Sequence, residues 1–369
     1  MLTTALLFLI ILGILVFVHE AGHFIVARKM GMKVEEFGFG FPPRIWGKTG
    51  KDGVIYSINW IPLGGFCKIK GEDGENRTEP DSFGSKKPWR RSLVLVAGVA
   101  MNFLLCAVLL SFGFLVGLPQ AVDQQSLDLG IVKDYKVQVV SVLDDKPAKA
   151  AGVEVGDVLL SFDGQPIKGV KNLVQYTSDK IGHTVKFQFE HDKKAVEKDI
   201  QIAAISDGKG GIGVGLVETG IVSYPIHLAI LNGFKLTGIL TGEFVVAFYN
   251  IIKNLLIGKP LGVEVAGPVG IAVLTGQVAK LGLIYILQFT ALLSLNLAII
   301  NLLPFPALDG GRLLFVLIEK VRRKPVSQKI EGLIHGIGFS LLLILIIIIT
   351  FQDILRYSGA LSNFWQNLI

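Results

Sequence analysis

The sequence predicts a polytopic α-helical membrane protein: four transmembrane helices, a small α/β domain inserted between the second and third, and an apolar β-hairpin joining the first two. Three observations predict it. Of the 369 residues, 51% are hydrophobic and 18% charged, and the mean hydropathy of +0.57 is well above that of an ordinary soluble domain. Four stretches, Leu2 to Ala27, Ser92 to Leu118, Leu281 to Leu303 and Ile334 to Phe351, each approach the roughly 20 apolar residues that cross a hydrocarbon core. Basic residues gather beside those stretches: residues 28 to 91 hold 13 Lys and Arg against 8 Asp and Glu, and residues 305 to 333 hold 6 against 3. A net charge of +6 therefore reads as a membrane-topology signal and gives no case for nucleic acid.

The first stretch has no Lys or Arg before it and no small-residue cleavage pattern, so it reads as a retained span within residues 1–118. The positive excess puts residues 28 to 91 and 305 to 333 on the cytoplasmic side. Residues 118 to 225, with 12 basic against 15 acidic residues, are then exported, and both termini lie outside. In the inner connection, Glu35 to Phe41 and Val54 to Trp60 flank Lys51-Asp52-Gly53 and read as an apolar, membrane-associated hairpin. Cys67 falls in the charged loop after it and Cys106 in the second span, so neither a disulfide nor a shared metal is expected.

In the exported segment the pattern turns soluble and alternating over residues 135–217. Val137 to Val142 reads as a strand, small residues run from Pro147 to Gly152, and Gly156 to Phe162 forms a second strand ending in an Asp163-Gly164 turn. Lys171 to Asp179 reads as a helix and Thr184 to Glu190 as a later strand, an order that resembles a PDZ domain. Such a domain binds extended peptides by strand addition or filters substrates by size. Residues 226–257 are apolar but interrupted by His227, Asn232, Lys235, Glu243, Asn250 and Lys253, and read as an interfacial or bracing helix. If that helix spanned, the third and fourth spans of residues 281–369 would be inverted.

The strongest chemical signal is His19-Glu20-Ala21-Gly22-His23 inside the first span. Histidines at i and i+4 share one helical face and can hold one Zn²⁺, and the intervening acid can serve as general base. Two imidazoles and a carboxylate in an apolar helix cost several kcal/mol unless paired or bound to a metal. His19 lies 14 residues after Ala5, roughly 20 Å along a helix, which puts the site near the cytoplasmic third of the bilayer.

A catalytic zinc usually takes three protein ligands. A third histidine six residues on is absent, because that position is Lys29. Glu35, Glu36 and Glu72 are candidates that solvation explains more simply; Asp309, the only aspartate between Asp207 and Asp353, is the better one. It follows Pro304 and Pro306 and precedes Gly310 and Gly311, residues that free backbone at membrane depth where a wet cavity must surround it. Asn296 and Asn301 could offer amides to a substrate backbone or act as interhelical glue.

These residues resemble the site-2 protease family of intramembrane zinc metalloproteases, in particular bacterial anti-sigma-factor proteases with an exported PDZ domain. The likeness rests on His19 to His23, on the Asn296 to Asn301 run leading to Leu308-Asp309-Gly310, on Gly267 to Ala272, and on Ala97-Gly98 to Asn102-Phe103. It implies Zn²⁺ ligation by His19, His23 and Asp309, catalysis by Glu20, substrate positioning by Asn296 and Asn301, and single-span membrane proteins as substrates in a bacterial inner membrane. The exported segment has room for one PDZ domain, not the tandem pair of the enterobacterial members. Two rivals, a zinc transporter and a non-catalytic PDZ scaffold, leave Glu20 without a use.

Overall fold

The computed structural model describes residues 2–72, 78–191, 194–205, 209–259 and 266–357; the expected position of the C-terminus lies outside them. The chain forms two compact units, one of residues 1–112 and 230–369, the other of residues 113–229.

The first unit starts with α1 (Leu2–Lys29), followed by two long paired strands, β1 (Val34–Thr49) and β2 (Ile55–Ile69), and by α2 (Pro88–Val116). Both strands bend. Residues 34–39 pair with 65–69 on one side and with 55–58 on the other, and 44–49 pair back onto 55–59. The hairpin is thus a small curled sheet of four strand segments, with the 65–69 segment at one edge. Phe37 packs against Phe17 and Phe24 of α1, with ring centroids 5.5 and 5.1 Å away. Cys67 therefore sits in a strand opposite Phe37, not in a loop.

The second unit carries β3 (Leu118–Ala121), α3 (Gln124–Leu129), β4 (Ile131–Val142), α4 (Pro147–Ala150), β5 (Val158–Phe162), β6 (Gln165–Pro166), α5 (Val170–Ser178), β7 (Thr184–His191), β8 (Lys194–Gln201), β9 (Ala203–Ala204), β10 (Gly210–Gly211) and β11 (Val214–Ser223). Its main sheet runs β3-β11-β4-β5-β7-β8, with β6 folded back onto β5. Asp163 and Gly164 make that two-residue turn, both with positive φ (44° and 72°), as a type I′ hairpin requires. Val137, Leu159, Phe162, Leu173, Phe187 and Phe189 are buried in one apolar core.

Back in the first unit come α6 (Ile226–Leu256), α7 (Pro268–Leu281), α8 (Leu283–Leu302), α9 (Asp309–Arg322) and α10 (Gln328–Arg356). Among the described residues five helices, α1, α2, α6, α8 and α10, are long and apolar enough to cross a membrane, against the four expected from sequence. The difference is α6, which is continuous because none of its polar residues is a helix breaker. Two features of the last third were not read from the sequence. Gly267 opens α7, and Gly282, with φ of +114°, separates it from α8. Asp309, read from sequence as following the third span, is the first residue of α9.

Small residues let the helices close on one another. A Cβ on Gly22 of α1 would lie 2.5 Å from the Ala97 carbonyl oxygen of α2, so only glycine permits that approach. On α8, Ala291, Ser294, Leu295 and Ala298 form a buried row, and Ser294 Oγ donates to the Asn102 carbonyl of α2 at 2.9 Å. These contacts hold α1, α2 and α8 as one bundle around the polar cluster.

Candidate metal centre

His19 and His23 project from α1 toward α2. His23 Nδ1 lies 2.8 Å from the Val94 carbonyl oxygen; a carbonyl only accepts, so the proton is on Nδ1 and the Nε2 lone pair is free. His19 Nδ1 lies 3.4 Å from the Asn102 side-chain amide, and Asn102 is fully buried. With the amide nitrogen toward the ring, Asn102 Oδ1 is buried without a partner. Turned over, Oδ1 accepts the His19 Nδ1 proton, which satisfies the amide oxygen and frees His19 Nε2 as well.

Both free nitrogens meet Asp309. His19 Nε2 is 2.9 Å and His23 Nε2 3.3 Å from Asp309 Oδ2, and the two nitrogens are 3.2 Å apart. Three acceptors in a triangle inside apolar helices repel unless a cation or protons lie among them. Ligands held tetrahedrally at about 2.0–2.1 Å from zinc lie about 3.3 Å from one another, so this triangle fits such an ion. Among the described residues this trio is the group of three histidine, cysteine or acidic side chains that could hold a metal. Gly98 leaves the space: a Cβ there would lie 2.4 Å from His23 Nε2 and 2.8 Å from His19 Nε2.

Asp309 reaches the histidines across 290 residues because the α8–α9 turn is tightly constrained. Cβ atoms on Gly310 and Gly311 would come within 2.2 Å of the Leu303 and Phe305 carbonyl oxygens. The Ala307 N–H, at a residue with φ of +82°, donates to His335 Nδ1 of α10 at 2.8 Å. A buried ion pair of Arg91 with Glu319 ties α2 to α9.

Glu20, next to His19, faces the curled sheet rather than α2. A Cβ on Gly65 would lie 3.8 Å from its Cγ, in ordinary contact, and 2.9 Å from the Gly38 carbonyl oxygen, so the edge lies beside Glu20 and it is the close approach to Gly38 that calls for glycine. Burial, aided by the Glu20 charge, pushes the Cys67 thiol up to about 12, which excludes it as a nucleophile at neutral pH. The other acids considered as ligands are engaged elsewhere. Glu36 accepts from Arg44 and from Ser57 Oγ, each at 2.6 Å, Glu35 pairs with Lys68 at 3.1 Å, and Glu72 pairs with Arg312. Asn296 lines an apolar cleft with Leu12 and Leu15 of α1 and Pro268 and Ile271 of α7. Asn301 lies half-buried in the last turn of α8. Sequence reasoning did not give Asn102 a task, nor Val94, Arg312 or His335; a backbone carbonyl contact leaves no trace in residue type.

The model of Peptidase family M50 matches residues 7–345. A putative zinc metalloprotease of Clostridium perfringens is 34% identical over 344 residues, covering 92% of this chain and 95% of its own. The regulator of sigma-W protease RasP of Bacillus subtilis is 29% identical over 435 residues, covering 96% and 98%. Among solved structures, the PDZ domain of an SdrC-like protein from Listeria monocytogenes is 36% identical, covers 22% of this chain and 85% of that one, and superposes with a TM-score of 0.21.

Proposed function

The chain belongs to peptidase family M50, and on that footing we propose that it is an intramembrane zinc endopeptidase that cuts the transmembrane segments of single-span membrane proteins. The observation that carries the proposal is the convergence of His19, His23 and Asp309 within an apolar bundle, with Glu20 beside them on the same helix. His19 and His23 would hold zinc through Nε2 and Asp309 through Oδ2. A bound zinc ion supplies Lewis acidity, which polarises the scissile carbonyl and acidifies an attacking water. Glu20 takes the proton of that water on a carboxylate oxygen and passes it to the amide nitrogen of the leaving segment. Asn296 and Asn301 offer amide groups that hold the substrate backbone.

A helical substrate hides its peptide bonds in its own hydrogen bonds and must unwind before hydrolysis. The 65–69 edge, lying against Glu20, is the place where an unwound segment would add as a further strand. Ile45, Trp46, Ile58 and Trp60 are exposed on the same curled sheet, an apolar surface suited to the membrane interface. In this reading the PDZ-like unit admits substrates already trimmed outside, by size or by peptide binding.

Four helices, α1, α2, α8 and α10, span. His19 meets Asp309 just past the C-terminal end of α8, and Leu12 and Leu15 upstream on α1 share a cleft with Leu293 and Leu297 upstream on α8, so the two helices run the same way. The chain must therefore enter α8 from the side on which it leaves α2. α7 lies antiparallel to α1, with Gly276 against Thr4 and Pro268 near Leu12 and Leu15. A descending α6 followed by a rising α7 returns the chain to that side without a net crossing. The basic excess in the connections supports an active centre near the cytoplasmic face of a bacterial inner membrane. On this reading the substrates are anti-sigma factors or remnant signal peptides, and the relative named regulator of sigma-W protease supports the former.

The test is cleavage of a tagged single-span reporter in liposomes by wild type and Glu20→Gln, with zinc measured on both. Cleavage by wild type alone, with equal zinc, supports the proposal. Equal zinc without cleavage of any reporter by either protein points instead to metal transport or scaffolding.

A further inference from the structure

We infer that Arg312 is a positioning residue which, through its ion pair with Glu72, fixes the strand that receives substrate relative to the metal ligand Asp309. The inference rests on the strand-addition reading of the 65–69 edge. Arg312 lies one helical turn after Asp309 on α9, so the two side chains leave the same side of the helix. Glu72 lies three residues beyond Ile69, the end of β2. Their ion pair joins positions 240 residues apart, with 18% of the Glu72 side chain and 35% of the Arg312 side chain exposed.

Below that pair the same two elements already share a core: Ile69 and Val316 are buried in one cluster with Ala27 of α1 and Val94 of α2. The ion pair therefore closes the outer end of a joint whose inner end is apolar. Geometry explains why a joint is needed there. A strand advances about 3.3 Å per residue, and a slip of one residue turns every side chain to the opposite face. The edge that faces Glu20 is only five residues long from Gly65 to Ile69, so a small rocking of this segment against α9 would present a neighbouring peptide bond to the metal. An anion-binding role for Arg312 fits less well, because Glu72 and Glu331 line the same cavity.

The experiment compares full-length wild type with Arg312→Gln, Glu72→Gln and the reversed pair Glu72→Arg with Arg312→Glu. Zinc content, kcat, KM and, by mass spectrometry, the bond cut in a single-span reporter are measured. The single variants are expected to keep zinc, to raise KM on the order of tenfold, and to scatter cleavage over neighbouring bonds. The reversed pair is expected to restore one cleavage site. Cleavage at the wild-type bond with unchanged KM in the singles, loss of zinc in them, or scatter that the reversed pair does not repair, each overturns the inference. Failure of the strand-addition reading appears in wild type instead. Reporters N-methylated at successive backbone positions near the scissile bond would then all be cut alike, without the alternation that strand pairing imposes.

Discussion

In the inserted unit the largest buried side chains include Phe162, Phe187, Phe189, Leu159 and Ile200, whereas between α1, α2 and α8 the buried set includes His19, His23, Asn102 and Ser294. Asp157, a buried acid of the inserted unit, is fully engaged: it accepts from the Glu154 N–H at 3.0 Å and meets His191 at 2.6 Å. The acceptors of the helical bundle converge on one another instead. The inserted unit buries an apolar core and gives its buried acid partners of its own; the bundle gathers three groups that could hold a metal ion. Metal removal should therefore act on the two units unequally.

The largest effect is expected from Glu20→Gln. It leaves the acceptor triangle intact and removes only the proton carrier, so kcat should fall by about 10²–10⁴-fold or to background while zinc content stays at the wild-type level. Next comes Gly98→Ala. Its Cβ would overlap His23 Nε2, so α2 or the imidazole must shift, and zinc affinity should drop by about 100-fold, read by competition with a chelator. Asn102→Ala removes the acceptor for His19 Nδ1 and should cost zinc affinity about tenfold, with Asn102→Asp retaining more of it. The smallest effect on chemistry should follow Phe187→Ala. It should destabilise the inserted unit by about 3–5 kcal/mol yet leave kcat on a reporter with no outer domain near the wild-type value. A large loss on that reporter would show that the two units are not energetically separate.

The contrast between the units also explains what the sequence made legible. Strands obey a two-residue alternation and turns need particular residues, so Val137 to Val142, Thr184 to Glu190 and the Asp163-Gly164 turn could be read directly and lie within β4, β7 and the β5–β6 turn. His19 and His23 were legible because i, i+4 spacing on a helix is a local fact. Asp309 was legible only by elimination, since what brings it to the histidines is the packing of Gly310 and Gly311 against backbone, a property of three dimensions. The α9 helix was not read from the sequence, because its glycines and charges break the apolar pattern that marks the spans. Asn102 and Arg312 act through partners 83 and 240 residues away, and no local pattern announces either contact. For α6, the interrupting polar residues and the parity of the spans read as an interfacial or bracing helix, whereas its length and apolar composition are those of a helix that could span.

The claim on which everything else depends is that His19, His23 and Asp309 together hold the ion on which hydrolysis depends. One preparation of wild type, stripped stepwise with a chelator and refilled with zinc, tests it most directly when metal content and reporter cleavage are followed together. Activity should fall in proportion to zinc, return on refilling, and never return in Asp309→Ala. Undiminished cleavage by metal-free wild type would contradict the account.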